Sequence, residues 1–187
     1  PPISEKEALR YAGCRAADEE TLKLLRSCID ETEDKLTYNV CYGEFPVSIN
    51  GGLCDFGAFS VQSADLAKNL KGCDNVLLFG ATIGVGIDRL ISKYGRISPA
   101  RSVMIDAFGA ERIEALCDTF CGAFVLENNV KLKPRFSPGY GDLPLAAQKD
   151  IFSVLDCPRK IGLSLNDSLL MSPAKSVTAF AGIVRDK

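Results

Sequence analysis

The residues best suited to chemistry fall in Lys133-Pro134-Arg135-Phe136-Ser137-Pro138-Gly139-Tyr140-Gly141-Asp142. Arg135 offers a forked cation that fits a carboxylate or a phosphate. Tyr140 offers a flat ring with a polar tip. Pro138-Gly139 reads as a tight turn of type II, because proline fixes φ and glycine permits φ > 0. Gly139 and Gly141 lack a Cβ, so a ligand can approach the backbone closely. Together these features fit a small ligand with a charged end and an aromatic end. The alternative is a surface turn that carries an incidental arginine. A further candidate is Glu114, which falls among Val103, Ala107, Ala110, Cys117, Cys121 and Phe124 at helical spacing. A carboxylate on that stripe must find a partner, stay protonated, or reach water from the stripe's edge.

What is missing narrows the chemistry. The chain has no histidine. That removes the usual general base at neutral pH, the commonest metal ligand and the Ser/His and Cys/His nucleophile pairs, so no catalytic residue is assigned. Cys117 and Cys121 share a helix face, but no Cys-x-x-Cys pair occurs and no metal site is assigned. The eight cysteines of the 187-residue chain sit inside apolar patterns and read as reduced, mostly buried thiols of a cytoplasmic protein. A net charge of −2 argues against a nucleic-acid or anionic-membrane surface. No apolar run reaches membrane-spanning length, and the first residues do not read as a signal peptide.

The elements that must hold these residues read as one α+β domain over 1–187, with helices around a mixed or antiparallel sheet. Ser4 and Glu7 form a capping box for a helix through Tyr11. A second helix starts near Asp18. Tyr38, Val40 and Tyr42 open strands that end at Asn50-Gly51-Gly52. Ser63 opens a short helix closed by Gly72. Asp74 to Ala81 is the strongest buried-strand signal and runs into Gly84-Val85-Gly86 and a helix. That order is either half of a dinucleotide fingerprint or a tight strand-to-helix turn, since Arg89 stands where a third glycine belongs. Ser98-Pro99 starts a long helix to about Leu126. Asp142 and Pro144 precede a helix with Leu145, Ile151, Phe152 and Leu155. Short strands are expected at 161–164 and 169–171, and a last strand after Ser172-Pro173.

Three segments in fixed order carry a resemblance: Ala110-Glu111-Arg112-Ile113-Glu114-Ala115, then Arg135-x-x-Pro-Gly-Tyr140, then Ser172-Pro173-Ala174-Lys175-Ser176-Val177-Thr178-Ala179-Phe180. Together they resemble the activation domain of cobalamin-dependent methionine synthase in its short, free-standing bacterial form, most clearly over 98–183. The resemblance implies a curved α+β domain that binds S-adenosylmethionine in a shallow groove. It implies that the bound methyl group rescues the cob(II) state of a cobalamin carried by a separate methionine synthase or corrinoid protein, with a reductant such as flavodoxin. By position, Arg135 would pair with the methionine carboxylate, Glu114 would accept from the ligand's donors, and Ser137, Gly139 and Tyr140 would hold the adenosine end. Ser176 and Val177 are secondary candidates. The chain departs from the family pattern at Gly141-Asp142-Leu143-Pro144 and at Ala181-Gly182-Ile183. Those departures motivate an alternative: an interaction or scaffold protein that keeps the fold without the ligand.

Overall fold

The computed structural model describes residues 1–185. Helix α1 (Glu5–Tyr11) begins at Ser4, whose hydroxyl oxygen accepts from the Glu7 N–H at 3.3 Å. The reciprocal half of the expected capping box is different. The Ser4 N–H donates to Glu111 at 3.1 Å, because Glu7 is engaged by Arg10. Helix α2 (Glu19–Thr32) is capped by Asp18, which accepts from the Thr21 N–H at 2.8 Å.

Strand β1 (Asn39–Pro46) stops at its proline and is followed by a small antiparallel sheet of β2 (Ser48–Asn50), β3 (Leu53–Asp55) and β4 (Ser60–Gln62). Helix α3 (Ala64–Asn69) then leads to β5 (Asn75–Thr82), the predicted buried strand. Helix α4 (Gly86–Ile97) and the long α5 (Pro99–Asn128) meet at the single residue Ser98. Pro99 occupies the first turn of α5 as expected, but the Ser98 side chain makes no cap. Its N–H instead closes α4 by donating to Tyr94 at 2.9 Å. Asn129 ends α5 in the left-handed region.

After α5 come β6 (Lys131–Leu132), α6 (Gln148–Leu155), α7 (Cys157–Ile161), β7 (Ser164–Leu165), β8 (Met171–Ser172) and β9 (Ser176–Val184). Residues 157–161 are helical where an extended start was expected at 161. Pro158 favours a first helical turn, and Gly162 at φ 66 terminates it.

The main sheet has the order β1-β5-β9-β6, and every pairing in it is antiparallel. Both of its faces are covered, which explains why β5 reads as an unbroken apolar run rather than an alternating one. Leu77, Phe79 and Ala81 face a core built with α1, α2, α4 and α5. Val76 and Leu78 face a second core built with α3, α6 and α7. The fold is therefore α+β, as the sequence predicts, and antiparallel rather than mixed. Among the described residues, no helix is long and apolar enough to cross a membrane.

Candidate functional site

β6 is too short to cover β9. Lys131 and Leu132 pair with Val184 and Ile183, the Lys133 N–H donates to Gly182 at 2.8 Å, and a single bridge joins Phe136 to Phe180. Beyond Phe180, no strand among the described residues pairs with this margin of β9. Ser176, Val177 and Thr178 there form one wall of a cleft of about 540 Å³. Glu114 of α5, Arg135 to Pro138, Tyr140, Gln148 of α6 and Met171 of β8 supply the rest. The volume lies within the range of small-molecule sites.

The loop that carries Arg135 is splinted by α3. The Asn69 side chain donates to the Pro134 carbonyl at 3.1 Å. At the other end Asp142 caps α3 from outside, accepting from the Ser63 hydroxyl and from the Ala64 and Asp65 N–H groups at 2.7 and 3.1 Å. The Ser63 hydroxyl, then the Ala64 N–H, hold the Asp142 carboxyl below its ordinary value. Asp142 thus serves α3 and not the helix that follows it in sequence. Between these anchors, the Tyr140 N–H donates to Ser137 at 3.2 Å, and Gly139 sits at φ 91, as the predicted type II turn requires.

Arg135 does not reach into solvent. Its guanidinium donates to Asp118 at 2.6 Å and to Glu114 at 2.7 Å, and the side chain is only 25% exposed. Glu114 is therefore an edge residue of the α5 stripe with a cationic partner. Asp118, one helical turn further on, is a second carboxylate that the motif reading missed. The spacing of four from Glu114 was the available signal.

Six of the seven predicted residues line the cleft: Glu114, Arg135, Ser137, Tyr140, Ser176 and Val177. Gly139 does not. It shapes the turn, and its N–H is committed to the Leu143 carbonyl at 2.9 Å. Tyr140 lines the cleft and is 69% exposed, which puts it at the rim. Ser176 is buried and its proton is spoken for. The Pro173 carbonyl, 2.7 Å away, can only accept, so Ser176 donates to it and accepts from Thr82 at 2.8 Å. Gln148 was not foreseen. It is 5% exposed, and its Oε1 has no hydrogen-bond partner. A buried carbonyl oxygen left unpaired is costly.

The glycine turn after β5 is explained by packing. A Cβ on Gly86 would run into the Lys35 carbonyl oxygen, and one on Gly84 would come 3.0 Å from Thr37 Cβ. The close approach these glycines allow is made by the chain's own 35–37 segment, so the dinucleotide reading loses its basis. Cys117 is fully buried, and burial pushes its thiol up to about 12. Burial also raises Cys121, so both pack as apolar side chains.

No family model matches the sequence, and no curated protein matches it. Among solved structures the chain is similar to the crystal structure of the MetH reactivation domain bound to AdoHcy. The TM-score is 0.70 at 16% identity, over 100% of this chain and 71% of that one. This chain has the reactivation-domain fold. The likeness extends over every described element, including the N-terminal helices where the sequence resemblance is faint.

Proposed function

We propose that the cleft binds S-adenosylmethionine or a close analogue, and that the protein supports reductive methylation of a cobalamin held by a separate methionine synthase or corrinoid protein. The observation that carries this reading is the charge arrangement in one cleft. Arg135 and its partner Glu114 line the cleft together beside a rim aromatic, and Asp118, which lines an adjoining groove, holds the same guanidinium. An α-amino acid presents the complementary pair, a carboxylate for Arg135 and an ammonium for Glu114. The Tyr140 face suits a purine ring. A structural neighbour bound to AdoHcy supports the same ligand class.

A methyl on a sulfonium is already activated, so these residues need only bind and orient it; no general base is required. The cobalt, its ligands and the electron donor belong to partners. Calorimetric titration of the pure protein with S-adenosylmethionine and S-adenosylhomocysteine tests the ligand half. Saturable binding of both, with methionine and adenosine each weaker, is expected. No heat at millimolar ligand overturns the reading. If a corrinoid protein is then still captured equally well with and without S-adenosylmethionine, the scaffold role replaces it.

A further inference from the structure

A pair of thiols outside the cleft is arranged for redox chemistry. Cys41 lies on β1 and Cys157 opens α7, far apart in the chain, yet their Sγ atoms are 3.5 Å apart. Cys157 is fully buried and Cys41 is 5% exposed. Room for the pair is made by Gly80, the β5 partner of Cys41. A Cβ there would come 3.1 Å from Cys157 Sγ and 3.5 Å from Cys41 Sγ. Buried thiols that merely pack are raised by desolvation, as Cys28, Cys54, Cys73, Cys117 and Cys121 are. Cys41 goes the other way. The hydrogen bond from Cys157 draws its thiol down to about 7 against burial, helped by the Gly80 N–H and the Lys160 charge, while Cys157 is raised. The two sulfurs thus differ in character, Cys41 drawn toward the thiolate and Cys157 held as a protonated neighbour within reach.

We propose that Cys41 and Cys157 form a reversible disulfide in response to a small hydroperoxide, with Cys41 attacking and Cys157 resolving. The Cys41 thiolate attacks one peroxide oxygen and the O–O bond breaks. The leaving alkoxide or hydroxide takes up the proton that Cys41 released, and Cys41 becomes a sulfenic acid. Cys157 sulfur then attacks Cys41 Sγ, the S–O bond breaks, and the oxygen leaves as water with the Cys157 proton. Two thiols and one hydroperoxide give one disulfide, one alcohol (or water) and one further water. Two electrons pass from the pair to the peroxide. The slight exposure of Cys41 selects a small oxidant over a bulky disulfide such as glutathione disulfide. The cross-link would tie β1 to α7 and does not depend on what the cleft binds.

Folded protein is treated with hydrogen peroxide, quenched, unfolded, alkylated and mapped by mass spectrometry. The expected result is a Cys41–Cys157 linked peptide that forms before the partly exposed Cys14 and Cys121 are modified and disappears with dithiothreitol. In Cys157→Ser a dimedone-reactive sulfenic acid should accumulate on Cys41, and in Cys41→Ser the Cys157 thiol should remain unmodified. Oxidation of Cys14 or Cys121 while Cys41 and Cys157 remain fully alkylable overturns the proposal. That comparison needs only the unaltered chain, so it decides the matter even if a variant fails to fold.

Discussion

Arg135 is held in place by two carboxylates, Glu114 in the cleft wall and Asp118 on an adjoining groove. Removing it leaves Glu114 and Asp118 as unpaired like charges on one helix face and deletes the cation proposed to meet the ligand's carboxylate. Arg135→Ala should weaken S-adenosylmethionine binding by about 10- to 150-fold, the equivalent of ~1.5–3 kcal/mol for a charge-assisted hydrogen bond. Arg135→Lys should restore only part of that, since an ammonium cannot fork between two acceptors; calorimetry reads both. Gln148 predicts an opposite pairing of effects. Gln148→Leu removes a buried acceptor with no partner, so it should leave thermal stability unchanged or raise it by about 1 kcal/mol. The same change should lower ligand affinity, and a melt and a titration on one sample separate the two. Arg135 and Glu114 were legible in the sequence because residue type and motif order point to them. The missing partner of Gln148 is a property of what surrounds it after folding, and no local pattern encodes it.

Among the elements, α2, α4 and α5 are joined by one carboxylate. The Tyr94 hydroxyl lies 2.8 Å from Glu31 Oε1, Arg101 approaches Oε2 at 3.0 and 3.1 Å, and Lys93 lies at 3.2 Å. The Tyr94 hydrogen bond, then Arg101 and Lys93, hold the Glu31 carboxyl down to about 2 from its ordinary 4.5. A depressed carboxylate stabilises the fold above its unfolded value and loses that stabilisation as pH falls through its folded value. Stability should therefore decline between about pH 4.5 and 2, with Glu31 contributing about 1–3 kcal/mol once solvent screening is allowed for. Glu31→Gln should lose that amount at pH 7 and flatten the acid limb, as read from denaturant midpoints across pH. The helices were the legible elements. Ser4, Asp18, Ser63 and Pro99 announce them, and apolar spacing sets their faces. The two-residue β6 and the three-residue β3 and β4 are too short to show a period, and α7 is a single turn between a proline and a glycine.

At the scale of the molecule, every residue that lines the cleft lies between 114 and 178, in the part of the chain where the sequence resemblance is clearest. That part cannot stand alone. β9 pairs along its length with β5, and β5 with β1, both outside it. A fragment of 98–187 should show no cooperative melt by circular dichroism, whereas the whole chain should. The cleft also exists because the sheet stops early on one side. Among the described residues, the two paired residues of β6, the Lys133 N–H and one bridge cover the margin of β9, and its bare remainder is the cleft wall. One more turn of ladder, laid down by a longer sixth strand, would complete the sheet and erase the cleft, so the opening is a product of where the architecture stops.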